Sequence, residues 1–259
     1  MYLLADIGRT KTRLAFSPDG ERFGEPVIED TDLNFASCSN HLKATLNQIS
    51  GAGHESDPLI LGISRKVWPE VDLKVELPRV LGRPVYIEND SALVGLGEAV
   101  SGAGRGPKIM VYVTVSSGVG GAKIEEGKID QSAHGFEPGQ QIVVIGEKSE
   151  TLEELVSGLA VERRFGRPAR EITDEAVWQE LSQYLAIGLT NTLLHWSPDC
   201  LVLGGSMFKV PGFKVPVVAA LIAEQLKIFS PLPTIKLAEL GAIGGLHGAL
   251  AYARSLPHS

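Results

Sequence analysis

The feature that most constrains the fold of this chain is a strand–turn–strand pattern that occurs twice. The first copy opens the chain, where YLLAD and TRLAF flank the turn-like GRTK. The second copy begins at KIMVYVTV and continues through SSGVGG, a turn, into the strand AKIEEGKI. Short apolar runs bounded by glycine-containing turns are typical of β-strands. The identity between the copies is too low for a sequence repeat, but their shared order predicts two related lobes.

Helical segments separate the strands in both halves. Apolar residues recur at helical spacing in residues 33–50 and in DEAVWQELSQYLAIGLTNTLLHW. TLEELVSGLAVERRF reads as one helical stretch, and VDLKVELPRVLG as a helix with a break near Pro78. Strands that alternate with helices predict an α/β protein with a cleft between two lobes.

The glycine-rich loop SGAGRGPK is the best domain boundary in the sequence. We therefore expect a small N-terminal lobe over residues 1–105, joined by a C-terminal helix over 243–259. A large C-terminal lobe over residues 106–242 makes up the rest of the chain.

Composition excludes several classes of protein. The 259 residues are enough for a sizeable core, and the net charge of −7 argues against nucleic acid as the main partner. No apolar run is long enough to span a bilayer, and MYLLADIG has no basic start of the kind that a signal peptide has. Cys38 and Cys200 form neither a disulfide framework nor a metal-binding spacing. These features predict a soluble, cytoplasmic protein.

The segment DIGRTKTR has the composition of a phosphate-binding turn. Gly8 lets the backbone approach a ligand closely, Thr10 offers an N–H and a hydroxyl, and Lys11 adds positive charge. Asp6 could reach a magnesium ion through water, because hard cations prefer oxygen ligands. The alternative is an ordinary hairpin whose turn is polar.

Two further glycine-containing segments could bind a nucleotide. TVSSGVGGA could hold phosphate oxygens with hydroxyls and backbone N–H groups, although it is neither a Walker loop nor a Rossmann fingerprint. LVLGGSMF ends a strand where backbone without side chains would let a flat ring lie close; the alternative is a strand-to-helix turn. The candidate residues are Ser116, Ser117, Gly118, Gly120, Gly204 and Gly205.

The stretch VYIENDSALVGLGE places Asn89 and Asp90 between a strand and a helix. Polar side chains at the carboxyl end of a strand lie where α/β proteins bind ligands. Asp and Asn are also favoured helix N-caps. On this segment alone Asp90 as a cap is the simpler interpretation.

Taken in this order, the segments resemble the ROK family of sugar kinases, within the actin-like ATPase superfamily with its ribonuclease H-like lobes. DIGRTKT resembles the family's first phosphate motif, VSSGVGGA its second, LVLGGS its nucleoside segment and ENDSALVGLGE its catalytic segment. The resemblance implies that Asp90 is the general base and that Asn89 binds a sugar hydroxyl. Two further segments, EPGQ and TLEELVSG, are similar to sugar-binding motifs of the family. They supply Glu137, Gln140 and Glu153 as sugar contacts.

The chain departs from the family pattern in three places. Many members hold a structural zinc with a His and three cysteines; here Gln140 stands at the His position, IGEKSE precedes TLEE, and no cysteine is near. We expect no zinc, and a lone His134 is a poor substitute. Arg9 replaces the usual Gly, where it could bind the γ-phosphate, point into solvent or block nucleotide. LGISRKVWPEVD lacks a clear counterpart of the family's Asn-containing sugar loop, which leaves the choice of hexose open.

The resemblance implies an ATP- and magnesium-dependent kinase that acts on the 6-hydroxyl of a hexose, with glucose as the default, and a homodimer. Trp178 and Trp196 are compatible with a dimer interface or with core packing. The alternative from another class is a catalytically degenerate sugar-binding or regulatory protein of the same fold. A kinase for an amino sugar or another modified sugar also stays open. Family repressors carry an N-terminal helix-turn-helix, and the first strand here starts at Tyr2, which disfavours a DNA-binding repressor.

Overall fold

The computed structural model of the protein describes residues 1–54, 56–64, 66–144, 149–209 and 212–256. These residues form twelve strands: β1 (Tyr2–Ile7), β2 (Lys11–Ser17), β3 (Val27–Asp30), β4 (Leu59–Ile63), β5 (Val85–Glu88), β6 (Ile109–Val115), β7 (Val119–Glu125), β8 (Lys128–Ile129), β9 (Ile142–Val144), β10 (Glu150–Thr151), β11 (Cys200–Gly204) and β12 (Thr234–Leu237). They also form eight α-helices: α1 (Phe35–Ser50), α2 (Leu73–Leu81), α3 (Asp90–Ser101), α4 (Leu152–Val156), α5 (Gly158–Phe165), α6 (Glu175–Trp196), α7 (Val215–Gln225) and α8 (Gly244–Ser255). Within the described ranges, no helix combines the length and the apolar character that crossing a membrane requires.

The chain divides into two compact units. The N-terminal unit contains Met1–Val100 and Ala242–Ser259, and the C-terminal unit contains Ser101–Gly241. The N-terminal sheet has the order β3-β2-β1-β4-β5, and the C-terminal sheet has the order β8-β7-β6-β11-β12. In each sheet the first three strands are antiparallel neighbours, and the two later strands run parallel to the first. The two sheets therefore share one topology, as the repeated strand–turn–strand pattern predicted.

Strand β1 is buried on both faces, and this determines where Asp6 lies. Ala5 and Ile7 belong to a core that includes Leu42 of α1 and Leu77 of α2. Because successive side chains of a strand point to opposite faces, Asp6 is directed to the other face of the sheet. There it lies beside Gly245 in the first turn of α8.

Helices α3 and α8 cross with their backbones in contact. A Cβ atom built on Gly97 of α3 would lie 2.4 Å from the carbonyl oxygen of Gly244, and one on Gly248 would lie 1.7 Å from that of Leu93. Only glycine fits at such an approach, since no real Cβ atom comes this close to another atom. The crossing fixes α3 and therefore the position of Asp90 at its first residue.

The core of the C-terminal unit lies between its sheet and helices α4, α6 and α7. Val111 and Val113 of β6 pack in the same cluster as Leu185 and Leu189 of α6. Trp178 also belongs to this core; its Nε1–H donates to the carbonyl oxygen of Ile172 at 2.9 Å. Core packing is thus the explanation for Trp178.

The predicted break near Pro78 does not occur, because α2 runs through Pro78 from Leu73 to Leu81. Proline removes one backbone donor, and in a helix of nine residues this costs a single intrahelical bond. Asp72 caps the first turn and Gly82 ends the helix in the left-handed conformation, with its N–H donating to the carbonyl oxygen of Pro78. Buried Leu77 and Leu81 supply the packing that outweighs the lost bond.

Two other predicted boundaries were wrong. TLEELVSGLAVERRF is not one helix, because the chain leaves α4 after Val156 and starts α5 at Gly158. Ser157 between them has an extended conformation, and its hydroxyl accepts from the N–H of Ala160 at 3.2 Å. The turn predicted over SSGVGG is shorter, since β7 starts at Val119 and contains Gly120. Strand β12 carries no apolar run that predicts a strand, because it is an edge strand in which three residues are exposed and the fourth is half-buried.

Candidate functional site

The β1–β2 turn displays Arg9 and Thr10 to solvent. The N–H of Gly8 donates to the carbonyl oxygen of Lys11 at 3.0 Å, which closes the turn. Both Arg9 and Thr10 are exposed at its tip. The ammonium group of Lys11 pairs with Asp30 at 2.7 Å, and both side chains are well exposed, so a phosphate could displace this weak contact. The turn thus offers positive charge at the end of β1.

Asp6 is a buried carboxylate with one cationic neighbour. Its Oδ2 accepts from Nη1 of Arg13 at 3.3 Å, directly across the β1–β2 pair. The pKa of the Asp6 carboxyl is raised to about 7: burial is the main cause, the nearby charge of Asp90 also raises it, and Arg13 acts in the opposite direction. Sequence reasoning missed Arg13, although hairpin register pairs it with Asp6.

Asn89, rather than Asp90, caps α3. Its Oδ1 accepts from the N–H of Ala92 at 3.1 Å, three residues along the helix. The Asp90 carboxylate accepts from the N–H of Ser91 at 2.8 Å and is half-buried. Burial raises the pKa of Asp90, whereas the bonds from Ser91 and the positive charge of Lys66 lower it. Asp90 is therefore a carboxylate whose charged form is disfavoured by its surroundings and which the capping role does not require.

In the C-terminal unit, the turn from Ser116 to Val119 is held by the corner between α4 and α5. The N–H of Val119 donates to Oε2 of Glu153 at 2.9 Å, and the N–H of Gly158 donates to the carbonyl oxygen of Ser116 at 2.6 Å. A Cβ on Gly118 would lie 2.7 Å from the same Glu153 oxygen. The glycine is thus needed for the carboxylate to approach the turn. Ser117 is exposed at the tip.

The segment EPGQ forms a single 3₁₀ turn, Pro138–Gln140, that packs on the start of β7. A Cβ on Gly139 would lie 2.4 Å from the carbonyl oxygen of Val119. The side chains of Glu137 and Gln140 are exposed. Gln141, which sequence reasoning missed, fastens the turn through a bond from its Nε2 to the carbonyl oxygen of Pro138 at 2.7 Å. The segment therefore presents a carboxylate and an amide from a fixed backbone.

Gly204 ends β11 and Gly205 follows it, and their conformation and contacts within the unit require both to be glycine. A Cβ on Gly204 would lie 2.4 Å from the hydroxyl oxygen of Tyr112. Gly205 has a φ of 99°, and a Cβ there would lie 2.2 Å from the carbonyl oxygen of Val115. The sequence signal that suggested a nucleoside-binding surface thus has a complete explanation within the unit.

Each unit by itself brings its predicted residues together. In the N-terminal unit, Asp6 and Asp90 influence each other electrostatically, and Gly8, Arg9, Thr10 and Lys11 form the turn that follows Asp6. In the C-terminal unit, the candidate residues lie together at the carboxyl end of β6. They are Ser116, Ser117, Gly118, Gly120, Glu153, the EPGQ turn and Gly204–Gly205.

The side chains that could act as metal ligands are compatible with a magnesium ion bound mainly by water and phosphate oxygens. Among the described residues there is no group of three or more His, Cys, Asp or Glu side chains that could hold a metal ion. Magnesium commonly binds one or two protein carboxylates and keeps several waters or phosphate oxygens as ligands, and Asp6 would supply such a carboxylate. The prediction that zinc is absent involves IGEKSE, of which residues 145–148 lie outside the described residues. The prediction about the sugar loop involves LGISRKVWPEVD, of which Arg65 also lies outside them.

The chain is similar to known sugar kinases over most of its length. A family model described as the ROK family matches residues 49–255. A fructokinase from Lactococcus lactis subsp. cremoris is 26% identical over 211 residues, which cover 72% of this chain and 71% of that protein. N-acetylgalactosamine kinase AgaK from Shewanella sp. (strain ANA-3) is 29% identical over 96% of this chain and 95% of that protein. Among solved structures, a ROK hexokinase from Thermus thermophilus superposes with a TM-score of 0.79 and 26% identity over 98% of both chains.

Two α/β units with sheets of one topology define a protein of the actin-like ATPase class, in agreement with the fold of these neighbours. The family match extends over most of the chain, and the chain belongs to the ROK family. The resemblance inferred from the sequence motifs is thereby confirmed.

Proposed function

We propose that this protein is a sugar kinase that transfers the γ-phosphoryl group of ATP to the 6-hydroxyl of a hexose, with magnesium as the metal ion. The observation that carries the proposal is the half-buried Asp90 at the start of α3, which the Asn89 cap leaves without a structural duty. The names of the relatives, which include a fructokinase, an N-acetylgalactosamine kinase and a hexokinase, support the class of reaction.

In the proposed mechanism, Asp90 accepts the proton of the sugar 6-hydroxyl as its oxygen attacks the γ-phosphorus. A bond forms between that oxygen and the γ-phosphorus, the bond to the β–γ bridging oxygen breaks, and ADP leaves. A carboxylate whose pKa is raised is a stronger base than an ordinary Asp, provided that it lies within hydrogen-bond reach of the hydroxyl. Bound magnesium would neutralise charge on the phosphates.

The remaining residues take positioning roles in this proposal. In this proposal, phosphate binding is assigned to Gly8, Arg9, Thr10 and Lys11 and to Ser116, Ser117, Gly118 and Gly120. Gly204 and Gly205 would face the nucleoside. Asn89 would donate from Nδ2 to a sugar hydroxyl, because its Oδ1 already accepts from Ala92. Glu137, Gln140 and Glu153 would complete the sugar contacts.

A coupled ADP-release assay over glucose, fructose, other hexoses, amino sugars and N-acetylated sugars tests the proposal. We expect ADP release that depends on one sugar class and on magnesium. If no sugar of the panel gives ADP release although sugar binding is measurable, the kinase proposal is contradicted and the degenerate regulatory protein is favoured. Glucose is our default acceptor, and the named relatives make fructose and N-acetylgalactosamine the two alternatives to try first.

We further propose a cytoplasmic homodimer that does not act through nucleic acid, with functional domains near residues 1–105 joined by 243–259 and 106–242. The net charge of −7 supports the part that concerns nucleic acid. Light scattering coupled to size-exclusion chromatography should give a mass near twice the 27.7 kDa of one chain. A mass of one chain at micromolar concentration would refute the dimer.

A further inference from the structure

Glu153 has a contact that a residue dedicated to sugar binding does not need. Its carboxylate oxygen Oε2 accepts from the backbone N–H of Val119 at 2.9 Å, across 34 positions of sequence. Through this bond and the one from Gly158 to Ser116 at 2.6 Å, both ends of the Ser116–Val119 turn are attached to the α4–α5 corner. The α4 backbone is itself fixed by a capping box at its start, between Thr151 and Glu154.

We propose that Glu153 is a positioning residue for the phosphate-binding turn, and that through it the sugar site and the nucleotide site of the C-terminal unit are coupled. This inference rests on the proposed function, which assigns phosphate to the turn and a sugar hydroxyl to Glu153. It goes further by giving one carboxylate an effect on the affinity for nucleotide even when no sugar is present.

The physical reason is the conformational freedom of the turn. A segment that contains Gly118 and Gly120 has many accessible backbone conformations, and phosphate binding selects the few in which N–H groups point together. A hydrogen bond to a charged acceptor is stronger than one between neutral groups. The Glu153 carboxylate thus keeps the turn ordered before the nucleotide arrives, and this lowers the entropy lost on binding.

Coupling follows because the same carboxylate has two kinds of partner. A sugar hydroxyl that donates to Glu153 would restrict its side chain, and so strengthen the attachment of the turn. By thermodynamic reciprocity, the factor by which sugar raises the affinity for ADP must equal the factor by which ADP raises the affinity for sugar. Removal of the carboxylate should abolish both effects together.

The test is calorimetric titration of ADP with magnesium into the full-length protein without sugar, on wild type and three variants. Glu153→Ala should weaken ADP binding about tenfold, because an ordering bond to a charged group is lost. Glu153→Gln should restore most of the affinity, since its amide oxygen can still accept from Val119. The matched control is Glu154→Ala in the same helix, which removes the same charge but leaves the Thr151 cap and the turn in place; its ADP affinity should stay within about twofold of wild type.

A fourth variant, Gly118→Ala, keeps the test independent of the stability of α4. Gly118→Ala leaves Glu153 in place but puts a methyl group where its carboxylate lies, so it too should weaken ADP binding. If Glu153→Ala binds ADP as wild type does, or if Glu154→Ala weakens it equally, the inference is wrong although the kinase proposal stands. If the wild type itself binds no ADP, the proposed function fails and the inference fails with it.

Discussion

Asp90 is subject to two opposing requirements, one for the stability of the fold and one for the proposed chemistry. Its pKa is raised above the ordinary value of 3.8, with burial as the main cause. A folded-state pKa above the unfolded one means that the ionised form destabilises the fold. The contribution of this group to stability is full below the unfolded pKa and is lost as pH rises toward the folded pKa.

We therefore expect Asp90→Asn to retain or raise the melting temperature at pH 7.5, and to raise it less at pH 4, where the raised pKa leaves a larger share of the wild-type carboxyl protonated in the folded protein. An amide oxygen can still accept from the N–H of Ser91, so the local geometry is kept. Turnover should fall on the order of a hundredfold to ten-thousandfold, because an amide cannot take up the hydroxyl proton.

Thermal melts at both pH values and turnover on the same preparation check this prediction. Ser91→Ala, which removes only the weaker 3.5 Å hydroxyl contact to Asp90, is the matched control and should keep turnover near wild type. Normal turnover of Asp90→Asn on the preferred sugar would remove Asp90 from the mechanism.

Arg9 gives a second prediction at this scale. Its side chain is exposed at the tip of the β1–β2 turn and has no hydrogen bond or ion pair within the described part of the chain. A guanidinium in that position can pair with phosphate oxygens in a forked geometry. Arg9→Gly should raise KM for ATP severalfold and leave KM for sugar unchanged.

Steady-state kinetics with each substrate varied in turn measure the effect of Arg9. Arg22→Gly is a suitable control, because Arg22 is also an exposed arginine of the N-terminal unit and its nearest ion-pair partner, Asp19, is 3.9 Å away. Higher activity of Arg9→Gly would instead mean that the side chain obstructs the nucleotide, in support of the regulatory alternative.

At the scale of elements, the crossing of α3 and α8 leaves no room for a side chain at Gly248. A methyl group there would lie 1.7 Å from the carbonyl oxygen of Leu93, so the two helices would have to separate. Overpacking of this kind costs about 1–3 kcal/mol or more. We expect Gly248→Ala to lower the melting temperature by about 2–12 °C, at about 2–4 °C per kcal/mol for a chain of this size.

The control for Gly248 is Gly24→Ala, since a Cβ at Gly24 meets no atom within 4 Å. Thermal melts of both variants decide the matter. An unchanged melting temperature for Gly248→Ala would mean that the helices separate at little cost. Because α3 carries Asp90, Gly248→Ala should also reduce turnover.

Elements with strong local signals could be predicted from the sequence, and those fixed by distant contacts could not. The β1–β2 hairpin, α1 and α6 follow from periodicity and from their glycine and polar boundaries. The division of α4 from α5 depends on Ser157, which caps α5, and on the bond from Gly158 to Ser116, a residue far away in the sequence. The edge strand β12 depends on pairing with β11.

The same distinction applies to the candidate site. The motifs Asp6–Lys11, Asn89–Asp90 and Ser116–Gly120 could be located because each directly follows a predicted strand and because their order resembles that of the family's motifs. Asn89 as the cap of α3, and Gln141 as the fastening of the EPGQ turn, depend on side-chain geometry that spacing does not contain. The glycines of LVLGGS are evident in the sequence, but the packing of Gly204 against Tyr112 could not be predicted from it.

For the whole molecule, the important fact is that the N-terminal unit is assembled from both ends of the chain. Helix α8 belongs to this unit, and its residues Leu246, Ala249, Leu250 and Ala253 are buried. Removal of residues 242–259 would expose the face of the sheet that contains Leu4 and Asp6. Burial of several apolar side chains contributes more free energy than the usual net free energy of unfolding of a domain. The truncated N-terminal unit should therefore unfold.

Limited proteolysis with mass spectrometry tests this on the chain that ends at Gly241. Cleavage sites should appear throughout residues 1–100 and be scarce in Ser101–Gly241, whose sheet and core are complete without α8. A truncated protein that resists protease as the full-length one does would show that α8 is dispensable.

Because the N-terminal unit consists of two segments that are far apart in the sequence, its synthesis has a consequence for its folding. The ribosome makes β1 to β5 long before it makes α8, the helix that covers one face of their sheet. Throughout synthesis of the intervening 141 residues from Ser101 to Gly241, the nascent N-terminal sheet has an uncovered apolar surface. The C-terminal unit, contiguous in sequence, can complete its core earlier. The N-terminal unit is therefore the part that we expect chaperones to protect during translation.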